Sequence, residues 1–339
     1  LQVEDELAAA GCAIGAGWAG LRSMTATSGP GLSLMTENVG LAYFTETPVV
    51  IWDVQRVGPS TGLPTRTAQG DLNMVYFLGH GDINHVILLP GTVNECFEFG
   101  WKAFDLAEHF QTPIFVLSDL DLGMNQWITQ KFEYPDRPMD RGKVLWENDL
   151  ARFDGQWGRY KDVDSDGIPY RTVMGNQNPA APYFTRGTGH DVYGNYSEDP
   201  KNWADMIRRI KKKLQNVPEQ LPEPVLRSKP NARIGILGWG STDPALIEAQ
   251  DMLEEAGLPV DYLRIRALPS CKTVREFIDS HEHTYVLELN RDGQMCSILK
   301  LEGSECSEKL SSLTDVGGLP MTAIWATEKI LEQEMVRNG

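Results

Sequence analysis

The sequence predicts an α/β protein in which a parallel, doubly wound sheet is followed by a smaller α/β domain. Three observations support this prediction. Short apolar segments alternate with segments of helical periodicity in the first part of the chain. The same alternation returns after a proline-rich segment. The length of 339 residues is enough for two domains.

The first domain is expected to span residues 1–215. It opens with the end of a strand at 1–3 and a helix at 4–21, whose Ala and Gly residues allow close packing. The next predicted strands are 23–28, 49–52, 86–89 and 113–117, and the next predicted helices are 32–43 and 93–110. Because strands and helices alternate, the strands are expected to run parallel, with helices covering the sheet.

An irregular segment rich in aromatic residues is expected at about 123–199, and an excursion of this length is usually functional or packs on a partner. A cationic helix follows at 203–214, and a proline-rich segment at 216–230 is a predicted semi-rigid linker. The second domain, 231–339, contains predicted strands at 233–237, 260–265 and 284–289, and predicted helices at 244–256, 274–280 and 321–334.

Composition excludes several classes of protein. The net charge of -16 argues against nucleic acid and anionic membrane surfaces as partners. No segment is long and apolar enough to span a membrane, and the start does not resemble a signal peptide, so a soluble, cytoplasmic protein is expected. The cysteines are odd in number and lack a CxxC pair, which favours reduced thiols: Cys12, Cys96, Cys271, Cys296 and Cys306.

The first candidate site is the loop that begins at Arg56. The apolar segment before it ends at Trp52, so Arg56 falls at the carboxyl end of a predicted parallel strand, where open α/β sheets bind ligands. A guanidinium group there suits a carboxylate or a phosphate. The alternative is a salt bridge between Arg56 and a local carboxylate such as Asp53 or Asp71.

The second candidate is Glu6, at the amino end of the Ala- and Gly-rich helix. On its own, this carboxylate is typical of a surface group stabilised by the helix dipole. A glycine-rich turn, Thr27-Ser28-Gly29-Pro30-Gly31, follows one strand later, and the Arg56 loop follows the next strand. These neighbours favour a functional role for Glu6.

These segments resemble the alpha subunits of 2-oxoacid:ferredoxin oxidoreductases, and those of the 2-oxoglutarate type in particular. The resemblance covers nearly the full length, and the Arg56 segment is its most specific part. The matching segments are Ser28-Gly29-Pro30-Gly31-Leu32-Ser33-Leu34-Met35, Gln55-Arg56-Val57-Gly58-Pro59-Ser60-Thr61-Gly62-Leu63-Pro64-Thr65, Gln69-Gly70-Asp71-Leu72 and Thr185-Arg186-Gly187-Thr188-Gly189-His190-Asp191.

The resemblance implies a thiamine-diphosphate pyrimidine-binding-type domain followed by a domain like the carboxyl-terminal domain of transketolase. It also implies a reaction, in which 2-oxoglutarate is oxidatively decarboxylated with CoA to succinyl-CoA and CO2 while ferredoxin is reduced. Glu6 would be catalytic and would bind the aminopyrimidine ring of the cofactor, with Ser28 and Gly29 as further cofactor contacts. Arg56 would bind the substrate carboxylate.

The resemblance further makes Ser60 and Thr61 candidate hydroxyl contacts to the substrate. His190 would contact substrate or CoA, although a structural hydrogen bond is an equal alternative.

The turn containing Asp162, Asp164 and Asp166 opens like a calcium loop, but the twelfth position is Val173, so an acidic turn is favoured over an EF-hand. A looser metal site stays open as an alternative.

The chain contains neither a Gly-Asp-Gly diphosphate motif nor a cluster-binding set of cysteines. The resemblance therefore assigns Mg²⁺, the diphosphate contacts and a 4Fe–4S cluster to a beta subunit, and no metal to this chain. It implies ferredoxin and a gamma domain or subunit as further partners. The family's Tyr-Pro-Ile-Thr-Pro segment is absent and the sequence starts at Leu1, which suggests that a preceding part of the family pattern is missing.

Two other functions stay open. One is a thiamine-dependent 2-oxoacid dehydrogenase-type subunit that passes its acyl group to a lipoyl carrier. The other is a non-catalytic subunit that acts as a scaffold in a complex. Composition and periodicity do not choose among 2-oxoacids, so the preference for 2-oxoglutarate rests on the resemblance.

Overall fold

A computed structural model describes residues 1–153 and 157–338 of the chain. Its strands, numbered in chain order, are β1 (Met24–Thr27), β2 (Val49–Gln55), β3 (Val86–Leu88), β4 (Pro113–Asp119), β5 (Val225–Arg227), β6 (Ile234–Trp239), β7 (Val260–Ile265), β8 (Ala267–Leu268), β9 (His283–Glu288) and β10 (Leu310–Thr314).

The α-helices are α1 (Glu6–Trp18), α2 (Gly29–Thr45), α3 (Leu72–Tyr76), α4 (Val93–Phe110), α5 (Leu120–Met124), α6 (Pro200–Gln215), α7 (Asp243–Glu255), α8 (Lys272–Ser280), α9 (Gln294–Glu302) and α10 (Ala323–Asn338). Short 3-10 segments occur at Leu150–Phe153, Pro218–Gln220, Gly240–Thr242 and Ser304–Lys309. Among the described residues, no helix is both long and apolar enough to cross a membrane.

The first sheet has the strand order β1-β2-β4-β3-β8. Its first four strands are parallel, and β8 joins β3 in the antiparallel sense. Every residue of β4 is buried, as expected for a strand covered by helices on both faces. In the register, Thr27 pairs with Asp53 and Gln55 pairs with Asp119, so the carboxyl ends of β1, β2 and β4 meet at one edge of the sheet.

The second sheet has the order β10-β9-β6-β7-β5, parallel except for the pairing of β5 with β7. Its hydrophobic core lies mainly beneath α7 and α10, where Leu246, Ala249 and Ile330 are almost completely buried. Two mainly parallel sheets covered by helices confirm the predicted fold class.

Several predicted elements differ from the structure. Residues 1–3 are not a strand, because the sheet begins at β1 and no neighbouring strand pairs with them among the described residues. The prediction missed α3, α5, β5, β8, α9 and β10. The segment 216–230 is packed: Val217 and Leu221 are buried in the core of the first sheet, and β5 lies within the segment. The domain boundaries themselves stay a prediction.

The long excursion after β4 is irregular in its described residues and is tied to the back of the first domain through buried charges. Glu46 ends α2 in the left-handed region at φ 53° and is fully buried. It accepts hydrogen bonds from Arg209 and, at 2.7 Å, from Lys213. Arg159 of the excursion donates to the Glu46 carbonyl oxygen at 2.8 Å. These contacts hold the carboxyl end of α2, opposite the edge where its amino end lies.

The two sheets are joined by the segment between β2 and α3. The Gln69 side chain donates to the Trp239 carbonyl oxygen at 2.8 Å and accepts from the Leu289 N–H at 3.0 Å. Asn290 donates to the Gln69 carbonyl oxygen at 3.0 Å. All of these residues are buried, so the hydrogen bonds fix the segment between both sheets.

The cysteines are free thiols where their side chains are described: Cys12, Cys96, Cys271 and Cys296. The side chain of Cys306 lies outside the described part of the structure.

Candidate active site

The candidate residues of the first domain collect at the edge where β1 and β2 end. Glu6 begins α1, and Asp5 caps this helix by accepting a hydrogen bond from the Ala8 N–H at 2.8 Å. The Glu6 side chain leans over the amino end of α2. A Cβ atom placed on Gly31 would lie 2.8 Å from both Cγ and Oε1 of Glu6. The absence of a side chain at Gly31 therefore allows Glu6 to approach α2 this closely.

Glu6 is half-buried and has no hydrogen-bond partner among the described residues. Its carboxylate is therefore an acceptor that a bound molecule can use. A protonated ring nitrogen of an aminopyrimidine can donate to such a carboxylate, so the position fits the group that the family resemblance implied for Glu6.

The amino end of α2 carries the other two predicted cofactor contacts. Ser28 caps α2, but its hydroxyl makes no capping hydrogen bond, and Gly29 is the first residue of the helix. A Cβ atom on Gly29 would lie 2.7–2.9 Å from the carboxyl atoms of Asp71. Asp71 thus occupies the space above Gly29, where the helix dipole favours negative charge.

Arg56 directly follows β2 and is half-buried. Its Nε atom is buried without a hydrogen-bond partner, and no carboxylate of the described residues lies within 4.0 Å of its guanidinium group. The alternative of a direct salt bridge to Asp53 or Asp71 is therefore not formed. The positive charge of Arg56 still acts on Asp71, since it offsets part of the rise that burial causes in the pKa of that carboxyl.

The segment after Arg56 folds back on itself. The Val57 N–H donates to the Arg66 carbonyl oxygen at 3.0 Å, and the Leu63 N–H donates to the Val57 carbonyl oxygen at 3.1 Å. Gly62 has φ 46°, and a Cβ atom there would lie 1.9 Å from the Val57 carbonyl oxygen, so this turn requires glycine. The turn exposes Ser60 and Thr61 at its tip.

One fully buried and one half-buried carboxyl group lie beneath this edge. Asp53 in β2 is completely buried, and neither of its oxygen atoms has a hydrogen-bond donor among the described residues. Burial and the neighbouring Asp71 raise the pKa of Asp53 well above its usual range, and burial also raises the pKa of Asp71. Sequence reasoning considered both as possible ion-pair partners of Arg56, and Asp71 also as part of a matching segment, but assigned neither to the site. The available signal was Asp53 itself, a charged residue in an apolar strand.

The structure places the predicted site residues in two groups, one around the amino end of α2 and the other containing His190. Contacts run from Glu6 to Gly31 and from Gly29 to Asp71, and Asp71 lies in the electrostatic field of Arg56. The amino end of α2 therefore links the cofactor-binding candidates to the substrate-binding candidate.

His190 lies apart from this group. It is completely buried, and its ring lies 3.9 Å from the Tyr160 ring and 5.2 Å from the Phe44 ring, measured between centroids. Its Nδ1 atom is 3.1 Å from the Asp191 carbonyl oxygen, and burial lowers its pKa. This environment favours the structural alternative. Contact with substrate or CoA stays a prediction.

The acidic turn that opens like a calcium loop is filled by a lysine. Lys143 Nζ lies 2.7 Å from an Asp164 oxygen and 2.8 Å from an Asp166 oxygen. Asp162 accepts the Gly167 N–H at 3.1 Å. In the part of the chain that the structure describes, no group of three or more His, Cys, Asp or Glu residues is arranged to hold a metal ion. The ammonium group supplies the positive charge of this turn, in agreement with the acidic-turn interpretation.

Comparison with known proteins agrees with this geometry. Residues 1–149 match the family model described as "Pyruvate flavodoxin/ferredoxin oxidoreductase, thiamine diP-bdg". The chain is 36% identical to 2-oxoacid:ferredoxin oxidoreductase 2, subunit alpha, of Aeropyrum pernix over 343 aligned positions, which cover 98% of this chain and 51% of that protein. It is 34% identical to the 2-oxoglutarate synthase subunit KorA of Methanothermobacter marburgensis, covering 94% of this chain and 82% of that subunit.

Solved structures agree as well. The 2-oxoglutarate:ferredoxin oxidoreductase of Magnetococcus marinus, solved with 2-oxoglutarate, coenzyme A and succinyl-CoA bound, superposes with a TM-score of 0.87 at 33% identity, covering 98% of this chain and 56% of that one. A split-gene transketolase shares the fold, with a TM-score of 0.54 at 13% identity over 97% of this chain and 81% of that one. The chain spans about half the length of some of these relatives. It belongs to the family of 2-oxoacid:ferredoxin oxidoreductase alpha subunits.

Proposed function

We propose that this chain is the part of a 2-oxoacid:ferredoxin oxidoreductase that activates thiamine diphosphate and binds the 2-oxoacid carboxylate. The observation that carries the proposal is the series of contacts at the amino end of α2. The Glu6 carboxylate lies on one side of this end, and the Arg56 guanidinium group follows the neighbouring strand; neither has a charged partner among the described residues. The preferred substrate in the proposal is 2-oxoglutarate, oxidised with CoA to succinyl-CoA and CO2.

Each residue has a defined task in this proposal. Bound thiamine diphosphate would supply a nucleophilic carbon and then an electron sink for decarboxylation. Glu6 would exchange a proton with a pyrimidine ring nitrogen, accepting a hydrogen bond from that nitrogen when the nitrogen is protonated and donating to it when the proton is on Glu6. Arg56 holds the substrate carboxylate, with Ser60 and Thr61 as neutral donors at the tip of the same turn. Ser28 and Gly29 line the cofactor side of the amino end of α2.

The remaining parts of the reaction are proposed to come from partners. A beta subunit would hold the Mg²⁺ ion, the diphosphate and a 4Fe–4S cluster, and ferredoxin would accept the electrons. A gamma domain or subunit would complete the complex. The solved relative from Magnetococcus marinus contains coenzyme A and succinyl-CoA, which supports CoA as the acyl acceptor.

The first test replaces Glu6 by Gln in the reconstituted complex. We expect 2-oxoacid-dependent viologen reduction to fall by about 100-fold or more, because Gln cannot take up the proton at the pyrimidine ring. Glu4, an exposed glutamate that precedes α1, provides the matched control, since Glu4→Gln changes the same charge without touching α2. A Glu6→Gln complex with activity close to that of the Glu4→Gln complex would contradict the catalytic assignment.

Assays with different substrates and acceptors separate the alternatives. The proposal expects higher kcat/KM for 2-oxoglutarate than for pyruvate or branched-chain 2-oxoacids. A lipoyl-dependent enzyme would lack iron and acid-labile sulfide in its partner subunit, whereas an oxidoreductase of this family requires them. A scaffold subunit would be indicated by a cofactor-bound structure in which no thiamine ring reaches Glu6.

A further inference from the structure

We propose that Asp53 and Asp71 share one proton, and that this acid pair sets the charge beside Arg56 and thereby the affinity for a carboxylate substrate. Asp53 and Asp71 are positioning residues in this proposal, because they act on the substrate through Arg56. The inference rests on the proposed function in one respect only, which is that Arg56 binds the substrate carboxylate.

The burial of the two groups, without donors to their buried oxygens, favours a shared proton. Asp53 lies on the same face of β2 as the core residues Val49 and Ile51, and none of its surface reaches solvent. Asp71 lies at the same edge, because its carboxyl group fills the space beside Gly29, and Thr27, two residues earlier, pairs with Asp53. The Asp71 carboxyl group raises the pKa of Asp53 through its charge and a hydrogen bond. Neither Asp53 oxygen nor the buried Oδ2 atom of Asp71 has another hydrogen-bond partner among the described residues. Two ionised carboxylates in this contact would repel each other, whereas one proton converts the contact into a strong O–H···O⁻ hydrogen bond.

The surroundings favour one proton on the pair. Burial raises the pKa of both groups, and the neighbouring Asp71 raises that of Asp53 further. The positive charge of Arg56 lowers the pKa of Asp71 but not that of Asp53. The pair therefore keeps one proton, and Arg56 lies on the Asp71 side of the pair.

Among the described residues, this edge of the sheet brings together the cation Arg56 and the carboxyl groups of Glu6 and Asp119. Arg56 follows β2, the Glu6 carboxylate leans over α2 from α1, and Asp119 ends β4 opposite Gln55. Loss of the shared proton would add a second negative charge next to Arg56. That charge would compete with the substrate carboxylate for the guanidinium group, so substrate affinity should fall as the pair loses its proton.

The first measurement detects the proton directly, in the purified complex that contains this chain. Infrared difference spectra between the unaltered complex and Asp53→Asn should show the C=O stretch of a protonated carboxylic acid at neutral pH, and the variant should lack it. Asp105→Asn is the control, since Asp105 is a buried aspartate ion-paired to Arg22 and Arg137, and its replacement should remove a carboxylate band only. Without the C=O band at neutral pH, the shared proton is refuted, whatever substrate the complex uses.

The second measurement is the pH dependence of KM and kcat for 2-oxoglutarate. At pH values above the pKa of the pair, KM should rise by up to about tenfold per pH unit, which is the limit for one linked proton. Over the same range, kcat should change little. Asp53→Asn retains one charge on Asp71 and supplies an amide N–H in place of the proton, so its KM should not vary with pH. A KM profile in Asp53→Asn that matches the unaltered complex would overturn the positioning role.

A second variant and a binding assay cover two complications. Asp71→Asn leaves Asp53 as the only carboxyl group of the pair, and it should also remove the pH dependence of KM if Asp53→Asn does not assemble. If the complex does not turn over 2-oxoglutarate, the proposed function fails, but the infrared band still tests the shared proton. Calorimetric titration with 2-oxoglutarate then tests the effect on Arg56, and binding that is independent of pH would refute it.

Discussion

The Arg56 side chain places part of its charged guanidinium group in the protein interior, which is energetically unfavourable. Its Nε atom is buried without a partner, and the described residues provide no ion pair. An unpaired guanidinium nitrogen in a protein interior is unfavourable unless something binds it. The adjacent Asp71 offsets the charge only at a distance. A carboxylate ligand would relieve this cost, and this explains why Arg56 is the strongest candidate for the substrate-binding group.

Arg56→Ala should therefore lower kcat/KM for the 2-oxoacid. The loss should correspond to a rise of about 2–5 kcal/mol in activation free energy, which is the range for removing one partner of a desolvated charge pair. Arg56→Lys should recover only part of this loss, because an ammonium group cannot bind a carboxylate through two parallel hydrogen bonds. Steady-state kinetics of the reconstituted complex provide the measurement. Arg66→Ala, which removes an exposed arginine from the base of the same turn, is the control. Equal kinetics for Arg56→Ala and Arg66→Ala would contradict the assignment.

The sequence could predict the position of Arg56 but not its surroundings. A buried apolar strand followed by Arg56 places this residue at the carboxyl end of β2 by topology alone. The contact of Asp71 with Gly29 joins segments that are 42 positions apart in the chain, and no local pattern encodes it. The burial of His190 depends on Phe44 and Tyr160, which are also distant in sequence. Tertiary contacts of this kind decided which candidates belong together.

At the scale of single elements, α1 shows how small residues serve different purposes within one helix. Gly17 is buried, and a Cβ atom there would lie 2.0 Å from the Pro48 carbonyl oxygen. Gly15 is exposed, and a Cβ atom there would have no neighbour within 4 Å. Only the first of these glycines is required for packing α1 against the residue that precedes β2.

Gly17→Ala should therefore destabilise the protein by about 1–3 kcal/mol, because the added methyl group clashes with backbone that cannot move freely. Gly15→Ala should instead stabilise it by about 0.5–1 kcal/mol through helix propensity. Urea denaturation gives the free energy of unfolding for both variants under the same conditions. Effects of the same sign and size at the two positions would contradict this interpretation of α1.

Elements with strong periodicity were predictable, and short or edge elements were not. The predicted helix at 93–110 has the bounds of α4, because its apolar spacing is regular and Thr92 provides a capping side chain. The strand β5 has only three residues, two of them exposed, and pairs with β7 across a long sequence separation. The strand β10 contains three polar residues, Ser311, Ser312 and Thr314. Their pairing with neighbouring strands, more than local propensity, determines both elements.

At the scale of the whole molecule, the two sheets are joined by buried polar contacts as well as by apolar packing. Arg264 of β7 donates to Glu95 of α4 through two nitrogen atoms, at 2.6 and 2.8 Å. Gln69 bonds to Trp239 and to Leu289 of the second sheet. Directional contacts of this type fix the orientation of the sheets more tightly than apolar contacts alone.

Replacement of Gln69 by Ala should lower the free energy of unfolding by about 1–3 kcal/mol, because the Leu289 N–H and the Trp239 carbonyl oxygen lose their partner in a buried position. It should also accelerate hydrogen exchange at the Leu289 amide relative to amides in β4. Gln177→Ala is the control, since within the described part of the chain that exposed side chain donates to the nearby Gly175 carbonyl oxygen, at 2.9 Å, and to nothing else. Unchanged exchange at Leu289 in Gln69→Ala would argue against a direct role in joining the sheets.

The position of Gln69 affects how this protein can be recombined with its relatives. Two residues after Gln69 the chain reaches Asp71, which contacts the amino end of α2. A chimera that takes its second sheet from another family member would therefore need compatible backbone at 239 and 289 to keep the site intact. Substrate preference in such chimeras should follow this junction as well as the residues that touch the substrate, so the two halves of the chain are not interchangeable modules.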